Sequence, residues 1–216
     1  MDKPLLDVGS TSILARIIAA LDIADIAISA NGDPARFAGF GLPVLPDAFV
    51  GQGPLAGVLA GLEWGASIGV FDVLTVPGDT PFAPMGLITA LAPAPACAMS
   101  LGRVHHLVAL WPVDARVALR ALLAGLGPRS VAAFGERMGM RRVDFPVGAW
   151  DPFLNVNAPE DLAAARDLAR SEAGARDLVK SEAGARDLVR SEAGARDLAR
   201  SGDGTRDLLR NDKGAG

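Results

Sequence analysis

The sequence predicts an α/β domain built on a mostly parallel, doubly wound sheet. Short apolar runs alternate with helical patterns between residues 2 and 164, and such alternation implies parallel strands joined by helices. Several runs end on a polar residue, Asn31, Asp47 or Asp79, and the carboxyl ends of parallel strands are where open sheets hold ligands. Half of the 216 residues are hydrophobic, enough for a core without a metal or disulfide staple.

Taken in order, "STSILARIIAALD" sets Ile13, Leu14, Ile17, Ile18 and Leu21 on one helical face behind a Ser/Thr cap region. "IAISAN" reads as a short strand ending on Asn31, and "PVLPD" (43–47) as another ending on Asp47. "GPLAGVLAGLEWGAS" (53–67) is a helix opened by a Gly-Pro pair. "FDVLTVPGD" is the strongest strand, stopped by Pro77 and Gly78 just before Asp79. "MGLITALA" is helical, "HLVALWP" (106–112) a strand, and "DARVALRALLAGLG" an amphipathic helix that ends on Gly. "SVAAFGERMG" is a further helix, "RRVDFP" and "FLNVN" are short strands, and "APEDLAAARDLAR" is a last helix with Pro at its start.

Composition excludes several classes. The net charge of -4 argues against general nucleic-acid binding. No stretch reaches the ~18 unbroken apolar residues of a membrane span, and "MDKPLLDVGS" lacks the apolar core of a signal peptide. The single cysteine, Cys97, cannot form an internal disulfide, which fits a reducing compartment, and it reads as a small buried apolar residue. His105 and His106 are adjacent on a predicted strand, so they point to opposite faces and make a poor chelating pair. Trp64, Trp111 and Trp150 read as core or rim residues.

Five polar clusters stand at strand ends or helix starts: "DK" (2–3), "SAN" (29–31) with "PD" (46–47), "GPLAG" (53–57), "PGDTP" (77–81) and "NVNAPEDL" (155–162). Each has an ordinary structural use. "GPLAG" serves as a tight helix start, and its glycines also let a ligand approach the backbone at a helix N-terminus. "NVN" serves as an Asn-stabilised turn, and "DK" as a solvated pair. A lone carboxylate such as Asp79 at a strand end suits Mg²⁺, which takes one or two carboxylates with substrate phosphates and water.

In this order and spacing the clusters resemble one family, the molybdenum cofactor guanylyltransferases, which make molybdopterin guanine dinucleotide from GTP and molybdopterin. The resemblance rests on "DKPLL", "ISAN", "GLPVLPD", "GPLAGVLAGLE", "PGDTPF", "ALWPV", "VDFP" and "FLNVNAPEDL", which span almost all of 2–164. It implies a Rossmann-like nucleotidyltransferase domain over 1–164, of the nucleotide-diphospho-sugar transferase type. It implies Mg²⁺ as cofactor, and GTP, molybdopterin and a molybdoenzyme or cofactor-delivery protein as partners. It implies no nucleic acid, no membrane and a cytoplasmic location. By resemblance Lys3 and Asp79 are catalytic, and Asp79 holds the metal. GTP falls to Lys3, Ser29, Asn31, Asp47, Gly53, Pro54, Leu55, Gly57 and Asp79, with Asp47 on the guanine edge. Asn155 and Asn157 take the metal and molybdopterin side. The alternatives are a cytidylyl- or sugar-phosphate nucleotidyltransferase of the same fold, and an inactive remnant or interaction protein.

The family pattern has a first strand and a Gly-rich loop, "LAGGxSxRMGxDK", ahead of the Asp-Lys pair, whereas this chain begins at "MDK". The expectation is therefore a sheet with its first strand missing, leaving facing edges on the strands at 26–30 and 71–76, and weakened GTP binding. A start upstream of Met1 and an inactive product both account for this, and the other motifs favour the first. From residue 165 a ten-residue repeat follows, beginning "ARDLARSEAG". Ten residues turn a helix by about 1,000°, so Leu168, Leu178, Leu188, Leu198 and Leu208 form no straight stripe. The tract 165–216 reads as a marginal helix or a disordered tail.

Overall fold

Ser12 starts the first helix as its sequence predicts. Its side chain accepts from the Ala15 amide at 3.2 Å, and α1 (Ile13–Leu21) buries Ile13, Leu14 and Ile17. The structure is a computed structural model that describes residues 2–125 and 129–173. The chain divides after Arg166 into two units. In the second, residues 167–173 are helical, with Arg170 paired to Asp167. The repeat tract beyond 173 lies outside the described residues. Everything else below concerns the first unit.

Ahead of α1 the chain makes a two-strand hairpin, β1 (Asp7–Val8) with β2 (Thr11–Ser12). Next, β3 (Ile28–Ser29) pairs in parallel with β4 (Val44–Leu45), through a 3₁₀ segment over Pro34–Phe40. Helix α2 (Pro54–Ile68) then leads to β5 (Asp72–Thr75), and α3 (Leu87–Leu91) to β6 (Ala96–Ser100) and β7 (Arg103–Pro112). The unit continues through α4 (Ala115–Ala124), α5 (Val131–Arg137) and β8 (Arg141–Asp144), with residues from 159 helical behind Pro159.

The larger sheet has the order β5-β7-β6-β8. β6 and β8 are parallel, while β7 is antiparallel to both β5 and β6. So β5, β6 and β8 run one way and the middle strand runs against them. The expectation of a mostly parallel sheet holds for strand direction but not for pairing, because reversing a central strand makes both of its ladders antiparallel. The cause is local. Leu101 and Gly102 join β6 to β7 with φ of 49° and 73°, a two-residue turn that allows only a hairpin. The sequence concealed this, since "ACAMS" is short and small, and leucine rarely takes a positive φ. "FLNVN" is likewise no strand. Its backbone is spent elsewhere: the Val156 amide donates to Asp79 O at 2.8 Å, and the Phe153 amide to the Asp151 side chain at 2.9 Å.

The main core lies between α2, α4, α5 and one face of the sheet, with Leu55, Leu59, Leu62, Trp111, Leu119 and Phe134 almost without exposure. Each such side chain contributes about 1.5–3 kcal/mol on burial. α2 sits close to β5 because Gly65 has no side chain. A Cβ there would lie 2.5 Å from Val73 Cγ2. Cys97 is 1% exposed and burial pushes its thiol pKa up, as expected of an inert core residue. Among the described residues no helix is long and apolar enough to cross a membrane.

The gap expected between the strands at 26–30 and 71–76 is present. Among the described residues β3 pairs only with β4 and β5 only with β7, and residues 26–31 and 72–78 line two walls of a cleft of about 670 Å³. Its apolar side is completed by α1 and α2. Trp64 stands on its rim, whereas Trp111 is fully buried and Trp150 packs on Phe82 at 5.7 Å.

Candidate functional site

One wall of the cleft is formed by β3, β4 and the start of α2. Ser29, Asn31, Asp47, Gly53, Pro54 and Gly57 all line it. Asn31 and Asp47 grip each other twice: Asn31 Nδ2 donates to Asp47 Oδ2 at 2.6 Å, and the Asp47 amide donates to Asn31 Oδ1 at 3.0 Å. Both polar atoms of the Asn31 side chain are thus engaged in holding Asp47. Asp47 Oδ1 lies toward α2, 3.8 Å from where a Cβ on Gly57 would be. That same Cβ would stand 2.7 Å from Ser29 Oγ, so glycine at 57 is what lets the helix start come up to β3. Gly53 takes φ of 70° at the helix N-cap, with Pro54 next. The glycine cap lets a ligand come close to the backbone at this helix start. Leu55 differs from the rest. Its side chain is fully buried in the core, so it offers the site only main-chain atoms.

Past β5, beyond the cleft wall at Pro77 and Gly78, the "PGDTP" turn meets the N-terminus and the 151–157 segment. Pro4 packs on Gly78, where a Cβ would be 3.0 Å from Pro4 Cγ, and this contact brings Lys3 beside Asp79. Lys3 Nζ donates to Asn157 Oδ1 at 3.2 Å. Thr80, fully buried, donates from Oγ1 to Asn155 Oδ1 at 3.4 Å. Lys3, Asp79, Asn155 and Asn157 therefore converge, though they lie far apart in the chain. Asp79 Oδ1 is buried with no hydrogen-bond partner. Burial pushes this carboxyl above its usual range, against the pull of its own amide, the Lys3 ammonium and the Thr80 hydroxyl.

Several contacts that build the site could not be read from the sequence. Asp161 Oδ2 accepts from the amides of Asn157 and Ala158, both at 2.9 Å, which fixes Asn157 and caps the helix behind it. Those two hydrogen bonds hold the Asp161 carboxyl below its usual range. Arg16 donates to Pro81 O at 3.1 Å and lies 5.0 Å from the Phe82 ring centre. Ser100 donates to Asp151 Oδ1 at 2.8 Å and contacts His105 Nε2 at 2.7 Å. The one hydroxyl proton of Ser100 is committed to Asp151, so His105 Nε2 is the donor to Ser100. Burial pulls His105 below its ordinary pKa. Adjacent His106 faces a different surface, beside Cys97 and Arg142, so the two histidines do not chelate. Asp47 before a helix and Asp79 after a strand could be found by pattern. Contacts such as Ser100–Asp151 could not, because their partners are distant in sequence.

A family model described as a MobA-like NTP transferase domain matches residues 1–141. A molybdenum cofactor guanylyltransferase of Acidiphilium cryptum (strain JF-5) is 51% identical over 168 residues, covering 76% of this chain and 85% of that one. One from Mesorhizobium japonicum is 46% identical over 184 residues, covering 79% and 88%. Among solved structures, molybdopterin-guanine dinucleotide biosynthesis protein A from Archaeoglobus fulgidus superposes with a TM-score of 0.61 at 17% identity, covering 79% of this chain and 92% of that one. A CMP:2-keto-3-deoxy-manno-octonic acid synthetase superposes at 0.59 with 14% identity, covering the same shares. The structural likenesses establish the nucleotidyltransferase fold and the sequence likenesses the branch within it: this chain belongs to the molybdenum cofactor guanylyltransferase family of nucleotidyltransferases.

Proposed function

We propose that the chain transfers GMP from GTP to the terminal phosphate of molybdopterin, forming molybdopterin guanine dinucleotide and pyrophosphate. The observation that carries the reading is a pair of carboxylates, one in the cleft wall and one where β5 ends. Asp47 lines the cleft and is held by Asn31, and Asp79, with a buried unpartnered oxygen, stands beside Lys3 just past β5. Asp47 Oδ1 accepts from the donor edge of guanine, and Ser29 and the Gly53–Gly57 backbone enclose the base and ribose. Lys3 meets the triphosphate as a point charge and stabilises the charge that builds up on it during transfer. Asn157, fixed by Asp161 and in contact with Lys3, and Asn155 face the molybdopterin side.

The residues fit a divalent cation. Among the described residues no group of three His, Cys, Asp or Glu side chains could hold an ion alone, and one carboxylate with phosphate oxygens is how Mg²⁺ is commonly bound. Asp79 Oδ1 is the oxygen that would hold it. Bound there, Mg²⁺ supplies positive charge to the phosphates and to the departing pyrophosphate. The domain at 1–164 carries all of these residues, and a cytoplasmic site of action is part of the proposal. The test is pyrophosphate release with molybdopterin and each of GTP, CTP and UTP. Release with GTP that is lost without Mg²⁺ is expected. Release with CTP in preference to GTP would move the chain to a cytidylyl reaction.

A further inference from the structure

We infer that Arg36 is a positioning residue that ties the base-reading end of the cleft to the segment carrying Lys3. It is assigned from its contacts, and it rests on the reading of the cleft as a nucleotide site. Arg36 Nη1 donates to both carboxylate oxygens of Asp2, each at 3.0 Å. Its Nη2 donates to the main-chain oxygen of Asn31. The guanidinium lies 4.9 Å from the ring centre of Phe37, which is 3% exposed and packs with Leu14 and Ile28.

Each contact bears on a different part of the site. Asn31 uses its whole side-chain amide to hold Asp47, so fixing its carbonyl fixes the residue that aims Asp47. Asp2 directly precedes Lys3, whose ammonium reaches Asn157 and acts on Asp79. The planar fork can bridge a carboxylate on one edge and a carbonyl on the other, with the Phe37 ring beside it. A lysine has one compact charge and cannot span both. Arg36, itself part of the cleft wall, therefore holds the Asn31 and Asp2–Lys3 segments in register.

The test is titration calorimetry of GTP, CTP and UTP with Mg²⁺ against the full chain, Arg36→Ala and Arg36→Lys, followed by steady-state kinetics. Arg36→Ala is expected to weaken the preferred nucleotide at least tenfold. Its KM for that nucleotide should rise while kcat changes by less than about threefold, and the margin between the preferred base and the others should shrink. Arg36→Lys should recover less than half of the lost binding free energy. Millimolar guanidinium, well below its denaturing range, should partly restore Arg36→Ala, with matched sodium chloride as control. Restoration by guanidinium separates positioning from a general loss of structure. Unchanged affinity in Arg36→Ala, a loss confined to kcat, or no response to guanidinium overturns the inference. Preference of the unmutated chain for a base other than guanine overturns the guanylyl reading alone, because Arg36 is then judged on that base. No nucleotide binding at all overturns both.

Discussion

Asp79→Asn is expected to stabilise the folded chain while abolishing transfer. Asp79 Oδ1 is buried and makes no hydrogen bond, and leaving a buried polar group unpaired costs about 1–3 kcal/mol. Asn keeps the shape and removes the charge, although its amide also lacks full pairing. A net gain of about 1 kcal/mol is therefore the expectation, which raises the melting temperature of a chain of this size by roughly 2–4 °C. The pH dependence has a definite sign. Burial raises the folded-state pKa above the unfolded one, so the native state binds the proton more readily. Native stability is favoured at low pH and declines as pH rises through the folded pKa. The gap between variant and parent should widen over that window and close below the unfolded pKa. Activity should move the other way. Losing the Asp79 carboxylate at the transfer end should cost at least about 100-fold in turnover, or ~2.7 kcal/mol of barrier. Thermal melts from acid to neutral pH, with pyrophosphate release at saturating Mg-GTP, measure both effects. A lower melting temperature at neutral pH would refute the idea of a strained, unpartnered carboxylate. Turnover within about tenfold would refute its role in the reaction.

Three further outcomes test the supports of the site. His105→Ala removes the donor to Ser100 and should raise KM for molybdopterin more than KM for GTP, since it frees the segment that carries Asn155 and Asn157. His105→Gln, which offers an N–H near the Nε2 position, should restore most of the loss. Asp161→Asn should lower the melting temperature at neutral pH and leave it unchanged in strong acid. Its pKa is depressed by two amide hydrogen bonds, so its contribution exists above the unfolded pKa and fades as pH falls through the folded one. Gly65→Ala should lower the melting temperature by several degrees without changing KM in the folded fraction, because its Cβ would lie 2.5 Å from Val73, outside the two polar ends. Equal melting curves would show that α2 can shift away from β5 at no cost.

How far the sequence disclosed the fold follows from the range of each interaction. α1, α2, α4 and α5 were legible because cap and periodicity lie within one segment, as with Ser12 and Ala15. Asp47 and Asp79 were legible because a polar residue ending an apolar run is a local anomaly. β6 was not, since its hairpin depends on Leu101 adopting a conformation leucine seldom takes. "FLNVN" has strand composition, yet a long-range hydrogen bond to Asp79 and a local one to Asp151 take its amides instead of a ladder. Strand composition reports fit to a pleated surface, and it cannot report that no partner strand is on offer.

The same distinction explains why the site's residues were easier to find than their supports. A group that meets substrate must be of a particular chemical kind, and its kind is visible in sequence. A group that holds another in place needs only a donor or acceptor at the right distance. Arg36, Asp161 and the Ser100–His105–Asp151 chain are of this second sort, and arginine, aspartate and serine also occur on ordinary surfaces. Their value comes from partners 34, 4 and 51 residues away, contacts that folding creates. Substitutions at these supports should therefore shift KM and discrimination more than kcat. Substitutions at Lys3 and Asp79, which act where charge develops, should do the reverse. A panel of both kinds, each measured for KM and kcat with GTP and molybdopterin, separates the two sets. If the supports and the charged pair lost kcat in equal proportion, the division between holding and reacting groups would be wrong for this cleft.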